Sequence, residues 1–314
     1  MSTTTLGLAM QSRDADAAHA VLRSQGRTFH FASRLLGRRH ANRAAVLYGF
    51  CRHVDNLADD ADDPASARLA LDAVRYSLGT GDADDPWTAG LLSLHGSTGM
   101  SLAPAMALLD GVESDLLQVR IPDVATLLRY AYRVAGTVGL MMCSVLDVRD
   151  PRAWAFAIDL GIAMQLTNIA RDIGEDARMG RRYLPASWIG DVQPTDIASP
   201  DLALQARLRV ATQRLLTVAE CYYASGEAGL AFLPMRARLA ILAAARMYRA
   251  IGADVAAAGF RSWDRRAVVG SLAKSRCTAQ AMLMFAFSPR LHRCNALHDA
   301  RLHDALGDWA SHGD

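Results

Sequence analysis

The residues best equipped for chemistry lie in one stretch, LGIAMQLTNIARDIGEDARMGRRYLP, residues 160–185. Gln165, Asn168, Asp172 and Asp176 follow one another at spacings of three, four and four. On a helix of 3.6 residues per turn, that spacing confines all four to an arc of roughly 80°. Leu160, Ile162, Ala163, Met164, Leu166, Ile169, Ala170 and Ile173 fill most of the remaining circumference, so a buried helix is expected. Carboxylates and carboxamides rarely go inside without partners. A divalent cation with oxygen ligands would supply the missing charge. Arg171 stands beside the stripe, and Arg178, Arg181 and Arg182 follow it. Acidic groups for a metal with guanidinium groups close behind suit a metal-bridged phosphate ester. The competing reading is an exposed helix laced with i,i+4 charges, and the apolar surround argues against it.

A second acidic stripe comes earlier. In LYGFCRHVDNLADD, residues Arg52, Asp55 and Asp59 stand at i, i+3 and i+7, after an apolar face of Val46, Leu47, Tyr48, Phe50 and Cys51. Taken alone, this segment reads equally well as a solvated acidic helix end. Negative charge at a helix C-terminus is opposed by the macrodipole, so a compensating group is expected. Two inward-facing D-x-x-x-D helices are a much stronger signal than one. Facing each other, they could hold Mg²⁺ between them, with a diphosphate completing the coordination.

The elements that must position these groups read as helices throughout. Helical periodicity starts near Asp14, after a polar and frayed residues 1–13, and resumes in TFHFASRLL. A helix from about Asn42 is expected to stop at Pro64. Residues 80–100 read as a loop around a short helix, and SLAPAMALLDGVESDLLQV and TLLRYAYRVAGTVGLMMCSVL read as the next two helices. After the central helix, 186–200 reads as a loop. Three long helices at roughly 201–228, 235–258 and 264–285 follow, then an amphipathic stretch at 291–309. No alternating strand pattern and no fixed-period repeat interrupts this. One all-α domain covering 1–314 is therefore expected.

Composition narrows the function classes. Of the 314 residues 51% are hydrophobic, enough for a large core, and a net charge of +2 favours neither nucleic acid nor an acidic partner. Five cysteines without a CxxC pair fit reduced thiols in a cytoplasmic protein. No signal segment and no apolar run of membrane-spanning length is evident, so peripheral contact with the inner membrane is the most that is expected. The Arg- and Leu-bearing stretch near the C-terminus could lie on an anionic membrane, but reads better as a solvated helix of the bundle. His292, His298 and His303, near Cys294, fit no zinc spacing and are expected at the surface, and His53 reads as a packing residue.

The wording of these stretches resembles the squalene/phytoene synthase family. LGIAMQLTNIARDIGEDARMGRRYLP is similar to one family signature, YAYRVAGTVGLMMCSVL to the other, and LYGFCRHVDNLADD to the first aspartate-rich motif. FLPMRARLAILAAARMYRAIGADVAAAGF is similar to the family's C-terminal helices, and the likeness runs from about Thr28 to Lys274. The resemblance implies an isoprenoid-synthase-type helical bundle around a central cavity. It also implies head-to-head condensation of two prenyl diphosphates through a cyclopropyl diphosphate. By position, Asp55, Asp59, Asn168, Asp172 and Asp176 would bind Mg²⁺ or Mn²⁺. Arg52, Arg171, Gln165 and Tyr48 would hold diphosphate, with Arg27, Tyr248 and Arg265 closing the other side. Tyr130, Ala135, Gly136, Val138 and Gly139 would line the tunnel, Leu146 would lie deeper, and Tyr130 and Tyr248 would stabilise the allylic cation. Ser33 and Ala45 stand where C30-making relatives tend to carry bulkier residues. The implied substrate is geranylgeranyl diphosphate and the product phytoene, with no nicotinamide cofactor. The alternatives are a C30 enzyme acting on farnesyl diphosphate and a non-catalytic lipid-binding relative. One departure stands out: Asp55-Asn56 occurs where the family usually has adjacent aspartates.

Overall fold

Asp63 and Asp85 each adopt an extended backbone directly before a proline, and each carboxylate accepts hydrogen bonds from the next two free backbone N–H groups. This aspartate–proline start satisfies orphan donors and presets φ, so helices begin at Pro64 and Pro86. Both end on a left-handed glycine, Gly81 and Gly99. The same local logic makes the whole molecule helical. A computed structural model describes residues 18–24, 26–267 and 270–307, and no strand occurs among them.

The helices are α1 (Arg27–Ser33), α2 (Arg38–Asp59), α3 (Pro64–Thr80), α4 (Pro86–Thr98), α5 (Ala103–Ser114), α6 (Val124–Ala131) and α7 (Thr137–Val145). After these come α8 (Arg152–Arg178), the short α9 (Ala186–Ile189) and α10 (Pro194–Ala198), α11 (Leu202–Ala228), α12 (Met235–Ala257) and α13 (Ser271–Phe287). A π-helical turn, Tyr132–Gly136, joins α6 to α7. Helix α2 starts at Arg38 rather than about Asn42 and stops at Asp59, before Pro64; Pro64 instead opens α3, a helix not expected from the sequence. The 186–200 loop contains α9 and α10. The helix expected from 264 starts at Ser271, and in place of a helix over 291–309 there are two 3₁₀ turns, Pro289–His292 and Ala300–His303.

Helix α8 is the centre, packed against α7, the π turn, α11 and α12. It is the one helix among the described residues long and apolar enough to cross a membrane, and its apolar surface is instead covered by protein. Close approach of α7 and the π turn to α8 depends on two glycines. A Cβ on Gly139 would collide with the Ala157 carbonyl, and one on Gly161 with the Ala135 carbonyl. One apolar cluster surrounds α8, α11 and α12, and a second fills the space between α2, α3, α4, α5 and α7. The five cysteines are free, and Cys221 and Cys294 are exposed.

Candidate active site

Between these two apolar clusters runs a cavity of about 310 Å³. Its mouth is polar, with Asp55, Tyr48, Gln165, Asn168 and Tyr248; below them the walls are apolar, including Val134, Ala135, Val138, Gly139 and Leu146. From Asn168 to Ala153 the cavity follows α8 for fifteen residues, about 22 Å at 1.5 Å per residue. On α2 the lining face is Ala44, Leu47, Tyr48, Cys51 and Asp55, spaced as one helical stripe. Phe29 packs its ring on Tyr48 and Tyr248, at centroid distances of 6.1 and 5.4 Å, and Ser33 lies one turn below it in the wall.

The carboxylates gather at the mouth. Asp55 is paired at 3.7 Å with Arg52, yet burial and the negative charges of Asp59 and Asp115 push its pKa up to about 7. Burial together with Asp172, Asp115 and Glu175 pushes Asp176 up to about 8, against the opposing pull of Arg181. Arg181 reaches across to Asp59 at 3.1 Å and ties the end of α8 to the end of α2. Asp172 is held by Arg171 through Nε at 2.8 Å and by Arg266 through Nε at 2.8 Å; Arg266 also pairs with Glu175 at 3.1 Å. Burial is the main cause of both shifts, like charge adds to it, and a bound cation would offset both. Asn168 donates to the Gln165 side-chain oxygen at 3.2 Å, while its own Oδ1 is buried without a partner. An orphaned amide oxygen beside under-neutralised carboxylates fits a hard divalent cation.

Tyr48 and Tyr248 are pushed up to about 12, mainly by burial, and present neutral phenols to the cavity. Tyr130 and Tyr183 donate to opposite oxygens of Asp115, both at 2.8 Å, and their rings lie 4.9 Å apart. Burial pushes Asp115 up to about 6 even so.

The squalene/phytoene synthase family model matches residues 22–273. The chain belongs to that family. The phytoene synthase of Pseudescherichia vulneris is 39% identical over 263 residues, covering 80% of this chain and 85% of that protein. The phytoene synthase of Cereibacter sphaeroides is 36% identical over 301 residues, covering 92% of this chain and 85% of that protein. Among solved structures, a ligand complex of a dehydrosqualene synthase superposes with a TM-score of 0.79 at 26% identity, covering 88% of this chain and 98% of that one. The squalene synthase HpnC of Alicyclobacillus acidocaldarius shares the fold, with a TM-score of 0.68 at 21% identity over 80% of this chain and 95% of that one.

In this member of the family the mouth departs from the sequence reading at several positions. Arg265 does not close the site. It is 69% exposed and stands 3.9 Å from Asp254, whereas its neighbour Arg266 grips the acidic helix. Ala45 does not line the cavity. It is buried with Ala18 and Leu22, and Ala44 faces the cavity instead. Gly136 packs on Ile158 beneath the wall, and Tyr130 stands in the Asp115 cluster rather than in the wall. The side chain of Arg27 lies outside the described residues. His53 pairs at 3.4 Å with Asp85, the α4 cap. The sequence reading missed Asp115, Tyr183 and Arg266 altogether. Tyr183 sits in the RRYLP end of the stretch that resembles a family signature, which could have pointed to it.

Proposed function

We propose that this chain condenses two molecules of geranylgeranyl diphosphate head to head into phytoene, through a cyclopropyl diphosphate and with release of diphosphate. The observation that carries the reading is a deep apolar cavity ending at a mouth where Asp55, Asp59, Asp172 and Asp176 gather with their arginines. An extended chain advances about 1.2 Å per bond, so a C20 tail reaches about 18 Å and a C15 tail about 13 Å. The lined length along α8, about 22 Å, accommodates the longer tail. The names of the bacterial relatives point the same way. The dehydrosqualene synthase likeness supports the fold and the head-to-head chemistry, but the open depth beside Ser33 favours C20 over C15.

In this reading Asp55, Asp59, Asn168, Asp172 and Asp176 would hold Mg²⁺ or Mn²⁺. When bound, the cation neutralises diphosphate and makes it a leaving group. Arg52, Arg171, Arg181 and Arg266 surround that mouth and orient the anion. The apolar walls exclude water from the allylic cation, which water would otherwise trap as an alcohol. Phe29, Tyr48 and Tyr248 offer aromatic faces at the mouth and no ionised nucleophile. Asp115 holds the Tyr130 and Tyr183 hydroxyl protons in place. In this reading the chain is one domain, works in the cytoplasm with at most peripheral membrane contact, and needs no nicotinamide.

Asp55→Asn and Asp172→Asn test the assignment. Each should lower turnover at least about 100-fold, the scale of a lost transition-state contact of about 3 kcal/mol. Circular dichroism and melting temperature should stay near those of the parent chain. Full activity in either folded variant would remove the acidic mouth from the mechanism.

A further inference from the structure

On the face of α8 turned away from the acidic stripe lies a second polar cluster that the condensation does not use. Asp159 precedes Asp172 by thirteen residues, which puts it about 140° round the helix and about 20 Å along it. Asp159 is fully buried. His298 Nε2 lies 2.8 Å from its Oδ2 and His303 Nε2 lies 2.8 Å from its Oδ1. Ser225 Oγ donates to Oδ2 at 2.5 Å. The two imidazole rings are 4.5 Å apart, and His298 stands edge-on to Phe156 at 5.4 Å. These two histidines are therefore not the surface residues that their spacing in the sequence implies.

We propose that Asp159, His298 and His303 form a site for one zinc-class divalent cation that staples the C-terminal segment to α8. The three ligand atoms already lie within 4.8 Å of one another. Both imidazoles offer the same nitrogen, and each lies against one oxygen of the same carboxylate, so the three donor groups share one small volume. Two nitrogens and a carboxylate suit zinc and its first-row neighbours, whereas the active-site mouth offers oxygen donors alone. A buried carboxylate requires positive charge close by. Protonating both rings would set two like charges side by side, and a single divalent ion removes that conflict. Ser225 orients the carboxylate as an outer partner, in the way such ligands are commonly held. The segment gained by the staple has little regular structure, only the 3₁₀ turns Pro289–His292 and Ala300–His303. Its other ties include Tyr222 donating to the Leu302 carbonyl at 2.6 Å and Arg129 donating to the Ala305 carbonyl at 3.2 Å. Coordination uses the Nε2 lone pairs, so each neutral ring would carry its proton on Nδ1.

The test uses the full chain without a histidine tag, stripped with chelator and returned to buffer containing Mg²⁺. Titration with Co²⁺ should give a visible ligand-field band that saturates at one ion per chain and disappears when Zn²⁺ displaces it. Zn²⁺ should also raise the melting temperature by a few degrees, as expected for a ligand that binds only the folded state. His298→Gln and His303→Gln should abolish the band and the thermal shift. Asp172→Asn should keep both, which separates this site from the proposed substrate-metal site. Absence of a band in the parent chain, or its persistence in His303→Gln, would leave the cluster a hydrogen-bonded clasp and overturn the proposal.

Discussion

Ser33→Phe should shift the chain-length preference from C20 toward C15. Ser33 lines the cavity one turn below Phe29, and its hydroxyl already donates to the His30 carbonyl at 2.9 Å, so no partner elsewhere is lost on replacement. Phenylalanine adds about five heavy atoms to the wall, matching the five carbons by which the two tails differ. Burying that extra unit is worth up to about 4 kcal/mol at about 0.8 kcal/mol per methylene. Forcing it against the new ring costs about 1–3 kcal/mol. At about 1.4 kcal/mol per tenfold, the ratio of C40 to C30 hydrocarbon should fall by about 5- to 150-fold. The assay offers equal concentrations of the C15 and C20 diphosphates and separates the hydrocarbons at early times. Ala45→Trp provides the contrast: Ala45 is buried away from the cavity, so this variant should lose stability while keeping the ratio. A folded Ser33→Phe variant with an unchanged ratio would refute the placement of the length gate in this wall.

The remaining predictions concern the mouth. Asp55 and Asp176 titrate in the folded chain at about 7 and about 8, above the unfolded carboxyl range, so the native state holds more protons across that window. Stability of the metal-free protein should therefore fall as pH rises from about 5 to about 8, and Asp176→Asn should flatten that slope; a slope unchanged by the substitution would contradict the charge crowding. Arg266→Ala should raise the substrate or Mg²⁺ concentration needed for half-maximal rate by about tenfold, the scale of one charged hydrogen bond, while Arg265→Ala should leave it unchanged. Equal effects in steady-state kinetics would contradict the placement of the two arginines.

The acidic stripe was legible because Gln165, Asn168, Asp172 and Asp176 obey the helical period inside an apolar helix, and that pattern carries both fold and site. Asp115 was not legible. It follows the last residue of α5, where no periodicity assigns a face, and its value comes from Tyr130 and Tyr183, 15 and 68 residues away. Arg265 and Arg266 are adjacent in a segment without helix, so only the backbone path decides which one turns inward. Ala45 shares a helical face with Arg52 and Asp59, whereas the cavity follows the face of Asp55, which carries Ala44, so likeness to relatives alone points one residue too far. The C-terminal stretch misled for a related reason. Its spacing resembles an amphipathic helix, but its polar groups are spent on Asp159, distant in sequence, and no local pattern reports that.

The most direct test of the central claim is the hydrocarbon made by the purified chain from geranylgeranyl diphosphate and Mg²⁺. Product is extracted and weighed by mass spectrometry, with a farnesyl diphosphate reaction and a chelator-treated reaction run beside it. The account predicts a C40 hydrocarbon with phytoene's three conjugated double bonds, no product with chelator, and at most a minor C30 product. A C30 hydrocarbon formed faster than the C40 one, or no hydrocarbon from either substrate, would contradict it.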